Sequence, residues 1–203
     1  MGIPDSPRTG LLEALVSITA ERGLDQVSIR EVAAEAGVSV GTVQYYCRSK
    51  DEMLEMAFRH VLERMSERAA GTPRTGSVTQ LLRRALREFL PLDDLRRREC
   101  RTYLAFAARA AVTPSLAGVQ HELLGEMRRR CEEVFRAAKE AGEASRDFDP
   151  KAAAAVTTAL VDGLLLHMLT DPTGLRGATA VRLLDEHLRQ FLRDVDGTDG
   201  SAG

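Results

Sequence analysis

Tryptophan is absent and aromatic side chains make up only 4% of this 203-residue chain, so its core has to be assembled from aliphatic residues. β-Branched residues are sparse as well, and no stretch alternates apolar and polar residues with a period of two, which excludes a sheet protein. The strong helix formers Ala, Leu, Arg and Glu dominate instead, and the fold class is therefore all-α. The three cysteines, Cys47, Cys100 and Cys131, are odd in number, widely spaced and form no C-x-x-C pair. That excludes a disulfide framework and a zinc module, and fits reduced thiols in a cytosol.

An excess of positive charge is lacking too: 28 Lys and Arg face 30 Asp and Glu, for a net charge of −2. The whole molecule has no basic footprint that would announce a nucleic-acid binder. Even the first fifty residues set Arg8, Arg22, Arg30, Arg48 and Lys50 against Asp5, Glu13, Glu21, Asp25, Glu31 and Glu35, so any such surface must be local. The N-terminus carries no basic-then-apolar signal pattern. The most apolar stretch, residues 152–169, is interrupted by Thr157, Thr158, Asp162 and His167. A soluble, cytoplasmic chain with no membrane partner is the expectation. No Glu-x-x-His pair, Walker loop or G-x-G-x-x-G occurs, and His60, His121, His167 and His187 stand alone. No catalytic residue, metal site or cofactor is expected. A helical metal-dependent or other small-molecule enzyme is the rival from another class.

What is present is a series of helix start and stop signals. Leu11, Leu15 and Ile18 lie on one face of a first helix over residues 9–22, closed by Gly23. Ser28 with Glu31 three residues on makes a capping box, with Val27 and Val32 as its hydrophobic staple. Ile29, Val32, Ala33 and Ala36 form the apolar face of that second helix, and Gly37 can take the left-handed conformation that ends it. Ser39 caps the next helix, residues 40–46, with Val38 and Val43 as a second staple. Two helices joined by so short a turn containing Gly make a helix-turn-helix. Ser49 and Glu52 form another capping box, opening a long helix through Met65. Residues 71–77 have loop composition. Further helices are expected over residues 78–90, 94–112, 114–141, 150–170 and 175–195. Thr113-Pro114 and Asp149-Pro150 each place a capping side chain before a proline at the first helical position. The resulting domains are a helix-turn-helix over residues 9–56 and a helical domain over residues 57–195. The tails 1–8 and 196–203 are expected to be disordered.

Quoted as it stands, ERGLDQVSIREVAAEAGVSVGTVQYYCRSKDEML resembles the signature of the TetR family of bacterial transcriptional regulators. The second half, in RREC, YLAFAARAAVTPSLA, DPKAAAA and LVDGLLLHML, is similar to regulators of the choline-responsive BetI kind. The resemblance implies an N-terminal DNA-binding domain and a C-terminal ligand-binding and dimerisation domain. It also implies a homodimer on an inverted-repeat operator, repression, and release by an unknown small-molecule effector. Two positions depart from the family pattern: Gln44 stands where an aromatic residue is usual, and Cys47 where Phe is. A protein-binding module that reuses the helix-turn-helix is the second rival.

Resemblance and helix-turn-helix geometry together assign the DNA-facing residues. Gly41 lets the recognition helix approach closely, and Val40 and Thr42 can touch thymine methyls or phosphates. Gln44 can pair with adenine in the major groove. Gln44 and Tyr45 point outward, while Tyr46 sits nearer the apolar face and can still reach a phosphate. Ser28, Arg30 and Ser39 lie at helix N-termini, where phosphate oxygens are favoured; for the serines, capping and contact are compatible roles. Lys50 matches the family's phosphate-binding lysine. Cys47 is expected as a small apolar plug behind the recognition helix.

In the second domain Val181, Leu184, Leu188, Phe191 and Val195 form a stripe assigned to a dimer interface, with an intramolecular core as the alternative. The resemblance implies that the helices over residues 150–170 and 175–195 both pair with their copies across a two-fold axis. Tyr103, Phe106, Met127, Cys131 and Thr158 are candidate pocket-lining residues, with Asp162 or His167 to fix a polar group. A packed role is open for each. Tyr103 and Phe106 together would also suit a cationic ligand. The arginine runs 96–98 and 128–130 read as solvated faces.

Overall fold

The computed structural model describes residues 7–72, 75–145 and 147–193. Its elements are α1 (Pro7–Arg22), a single 3-10 turn (Leu24–Gln26), α2 (Ile29–Ala36), α3 (Val40–Tyr46) and α4 (Lys50–Ala70). They are followed by α5 (Val78–Arg87), α6 (Asp94–Ala110), α7 (Pro114–Glu140), α8 (Pro150–Thr170) and α9 (Gly177–Leu188). An isolated bridge between Ala144 and Leu192 is the only β pairing among the described residues. Contacts divide the chain into two compact units, Met1–Arg68 with Phe89–Leu123, and Ala69–Glu88 with Leu124–Gly203.

In the first unit α1 packs on both α2 and α6, and α2 packs on α3. Leu11, Leu15 and Ile18, the expected stripe of α1, are fully buried, as are Val32 of α2, Val43 of α3 and Phe58 of α4. Each such side chain contributes roughly 1.5–3 kcal/mol by leaving water. Phe58 stacks on Phe106 with ring centroids 3.8 Å apart and also against Tyr103 at 5.7 Å, so one cluster of the scarce aromatics lies where α4 meets α6. Helix α1 starts at Pro7, within the tail expected to be disordered; proline suits a first helical turn, where its missing N–H leaves no bond unmade.

In the second unit Ser77 caps α5 by accepting from the Gln80 N–H at 3.2 Å, and Asp149 caps α8 by accepting from Lys151 at 3.0 Å, ahead of Pro150 at the first helical position. Helices α8 and α9 pack together, and Thr157, wholly buried on α8, is within 2.8 Å of His187 Nε2 on α9. Burial holds the His187 imidazole below its usual pKa. Phe135, Phe148 and Phe191 form a ring cluster, with Lys139 over the face of Phe148.

Two expectations change here. The last helix stops at Leu188, short of residue 195, because the following backbone is captured elsewhere. Ser145 N–H donates to the Phe191 carbonyl at 3.0 Å and Arg193 N–H to the Glu143 carbonyl at 2.8 Å, bonds that a continued helix could not make. The stripe on α9 is also reassigned. Leu184 and Leu188 are 0% exposed, which makes them intramolecular core; Val181 and Phe191 are half-buried, Phe191 within the ring cluster. Val195 lies outside the described residues.

The larger open apolar surface of this unit lies on α8, with Leu183 of α9 also exposed. Ala152, Ala155, Val156, Ala159, Leu166 and His167 are exposed, at the three- and four-residue spacing that places them on one face. Val156 is 55% exposed and Leu166 41%. Helix α8 is long and apolar enough to cross a membrane by length and composition, yet Ala153, Ala154, Thr157, Val161, Leu164, Leu165 and Met168 are buried in the protein. It is a helix with one face in a core and an equally apolar face open.

Candidate nucleic-acid interface

Helices α2 and α3 are set by their caps. The Ser28 hydroxyl accepts from the Glu31 N–H at 3.2 Å and the Ser39 hydroxyl from the Thr42 N–H at 3.0 Å. Between them Gly37 sits at φ 66°, ψ 31°, the left-handed C-cap that turns the chain; a side chain there would be strained. Val43 anchors α3 in the core, and behind it Cys47 is 1% exposed with its thiol donating to the Val43 carbonyl at 3.4 Å. Burial raises the Cys47 thiol pKa, as befits a packing residue.

The capping boxes are only half made. Glu31 does not reach back to its own cap but pairs with Arg22 of α1 at 3.0 Å, and Glu52 accepts from the Arg48 N–H at 2.6 Å. The serine halves of both motifs hold, Ser49 accepting from the Glu52 N–H at 3.1 Å.

Every residue assigned to DNA is at the surface. Ser28, Arg30, Ser39, Val40, Gly41, Gln44 and Tyr45 are exposed, Tyr45 at 82%, while Thr42, Tyr46 and Lys50 are half-buried. Tyr45 and Tyr46 meet edge to face at 5.2 Å. The Lys50 ammonium donates to the Asp25 carbonyl at 3.3 Å, which fixes it beside the 3-10 turn and leaves two of its three donors for another oxygen. A Cβ built on Gly41 would meet nothing nearer than Ser39 Oγ at 3.6 Å, ordinary contact. Nothing within the protein therefore demands glycine at this exposed position of α3.

The near-neutral charge of the first fifty residues also has a structural explanation. Four of its acids are paired within the protein: Glu31 and Glu35 with Arg22, Glu13 with Arg64, and Glu21 with Arg98 of α6. Among the described residues Arg30 and Arg48 make no ion pair, and both are exposed. The arginine run on α6, expected to be a solvated face, is partly a fastening. Arg98 pairs with Glu21 at 2.7 Å and Arg101 reaches the Ala20 carbonyl at 3.5 Å. The Arg128–Arg130 run does stay local, Arg130 pairing with Glu126 at 2.7 Å.

The pocket candidates are distributed between the two units. Tyr103 and Phe106 are buried in the first, where Phe106 turns a ring face onto Phe58; that face is closed to a cation. In the second, Cys131 is buried, Met127 and Asp162 are half-buried, His167 is exposed, and the Thr158 hydroxyl bonds to the Ala154 carbonyl of its own helix at 2.9 Å. Burial pushes the Cys100 and Cys131 thiols up to about 12, which suppresses the thiolate that redox chemistry requires.

Sequence reasoning missed the buried carboxylate Glu99. It is 1% exposed on α6 and bound by Arg68 at 3.0 Å and Arg64 at 3.1 Å. No local signal marked it, since Arg64 and Arg68 share α4 with Lys50 and Arg59 and lie more than thirty residues from Glu99.

An exposed helix capped behind a left-handed glycine turn, on a three-helix headpiece, is a helix-turn-helix. Residues 11–57 match the bacterial regulatory proteins of the tetR family, and residues 78–193 match the BetI-type transcriptional repressor C-terminal domain. The chain belongs to the TetR family of transcriptional regulators, with a C-terminal domain of the BetI type. It is 27% identical to the regulator PksA of Bacillus subtilis, covering 91% of this chain and 89% of that one. It is likewise 27% identical to BetI of Burkholderia mallei, covering 95% and 96%. A solved transcriptional regulator from Rhodococcus sp. Rha1 is 34% identical with a TM-score of 0.79, covering 91% of this chain and 95% of that one.

Proposed function

We propose that the protein is a cytoplasmic repressor that binds an inverted-repeat operator as a homodimer and is released by a small-molecule effector. The observation that carries the DNA reading is Gly41. On an exposed helix, glycine costs stability relative to alanine, and here the protein has room for the methyl group. Close approach of α3 to the floor of a major groove supplies the missing reason. Gln44 and Tyr45 stand beside it as base-reading and backbone-contacting side chains, and Lys50, Arg30 and Arg48 as phosphate ligands. The open face of α8, centred on Val156, Ala159 and Leu166, is the surface we assign to the second copy. Small residues let two such helices approach closely, and pairing about a two-fold axis buries the same face on both. The reading assigns the chain no reaction.

The test is competition binding of the purified protein to DNA flanking its own gene, against excess random DNA, across a salt series. A competitor-resistant complex is expected, with Lys50→Ala weakening binding to all DNA and flattening the salt slope by about one unit. Binding that follows salt alone and ignores sequence would contradict it.

A further inference from the structure

Glu99 is the most deeply enclosed charged residue among the described residues, at 1% exposure, and both its oxygens are engaged. Arg68 grips it with two guanidinium nitrogens, one at 3.0 Å from Oε1 and the other on Oε2, and Arg64 Nε approaches Oε1 at 3.1 Å. The other end of the Arg64 guanidinium binds Glu13 of α1, which His60 also approaches at 3.4 Å. The chain of contacts therefore runs from Glu99 of α6 through Arg64 of α4 to Glu13 of α1, with Arg68 a second tie between α6 and α4, and α1 packs on α2, the first helix of the DNA-binding pair.

If cohesion were all that was needed, an apolar side chain would join α4 to α6 as well, since enclosing a carboxylate away from water is costly even when it is paired. The Phe58–Phe106 stack beside it already supplies apolar cohesion. What a bidentate guanidinium–carboxylate pair adds is direction: two parallel bonds hold only in one plane and at one register, whereas stacked apolar groups tolerate sliding. The outer fastenings, Arg98–Glu21 and Arg109–Asp51, are exposed and weakened by salt. The Glu99 pair is shielded.

We infer that Glu99 is a positioning residue for DNA binding: through Arg68 it fixes the register of α4 against α6, and through Arg64 and Glu13 it fixes α1, and with it the helix-turn-helix, on that frame. The inference rests on α3 being the DNA-contacting helix, but the distance below is read without DNA. Spin labels are placed at Ala34→Cys on α2 and Ala108→Cys on α6, both exposed positions of the same unit. The three native thiols are buried and stay unlabelled. The parent should give one narrow distance distribution, and Glu99→Gln and Glu13→Gln should each broaden or shift it at unchanged helix content. Both should also lower the ratio of specific to random-DNA affinity by about 2- to 30-fold, the range of coupling networks. Glu13 is half-exposed at the outer end of the chain, so Glu13→Gln decides the question if Glu99→Gln does not fold. Parent-like distributions in every folded variant would overturn the inference, whatever the DNA titration shows. Failure of the parent to select any sequence would instead overturn the DNA reading and leave the distance result standing.

Discussion

Helix α3 and helix α8 each leave one face open, and the two faces differ in chemistry. The face of α3 presents Ser39, Val40, Gly41, Gln44 and Tyr45, a mixed face with hydroxyl and amide groups at a capped helix end; that of α8 presents alanines, Val156 and Leu166, with His167 as its one polar ring. A polar open face suits a hydrated, charged partner, and an apolar one suits a partner that removes it from water. The difference teaches that exposure alone says little, and that the chemistry of what is left uncovered indicates what belongs there.

The sharpest way to break this comparison is to put a charge on the apolar face. Val156→Arg should convert the dimer to monomer in light scattering and weaken operator binding by at least ~100-fold, because an unpaired charge enclosed at an interface costs about 3–5 kcal/mol. An unchanged mass would reassign α8 to surface. On the polar face Gly41→Ala should act in opposite directions on two measurements. Operator affinity should fall by ~1–3 kcal/mol, the scale of a lost base contact, while chemical denaturation shows stability raised by ~0.5–1 kcal/mol through helix propensity. A loss in both would mean that glycine serves the fold. Gln44→Ala should relax preference at a single base pair by ~1–3 kcal/mol; equal losses on every base variant would remove its reading role.

The smallest effect concerns the seam behind the apolar face. His187 is held neutral by burial, so its folded pKa lies below the unfolded value of about 6.5. Above that pH both states are unprotonated and the group has no effect. As pH falls from about 6.5 through the folded pKa the unfolded chain binds the proton first, and stability is lost. Thermal melts from pH 7.5 to 5.5 should show a drop that His187→Asn reduces.

The same two regions differ in how far the sequence reveals them. Ser28, Gly37 and Ser39 act on backbone groups within four residues of themselves, so α2, the turn and α3 were legible with their bounds. Ser28 and Ser49 also show the limit: each cap formed, but Glu31 found Arg22, nine residues away, and its return bond to Ser28 was not made. On α9 the spacing of Val181, Leu184, Leu188 and Phe191 correctly marked one apolar face, yet spacing cannot say what covers it. Leu184 and Leu188 are covered by their own chain, and the uncovered face belongs to α8, whose residues are apolar nearly all round and so carry no periodic signal. The end of α9 was misplaced for a similar reason, since bonds to Glu143 and Ser145 depend on residues more than forty positions earlier. Glu99 was invisible for want of a local partner.

The most direct measurement is selection of bound duplexes from random-sequence DNA, followed by counting of chains per selected duplex. The expected result is an inverted repeat whose half-site centres lie one helical turn, about 34–36 Å, apart, occupied by two chains and lost with Val156→Arg. Enrichment of a single half-site bound by one chain would contradict the assignment of α8 to the second copy, and enrichment of no sequence at all would contradict the assignment of α3 to DNA.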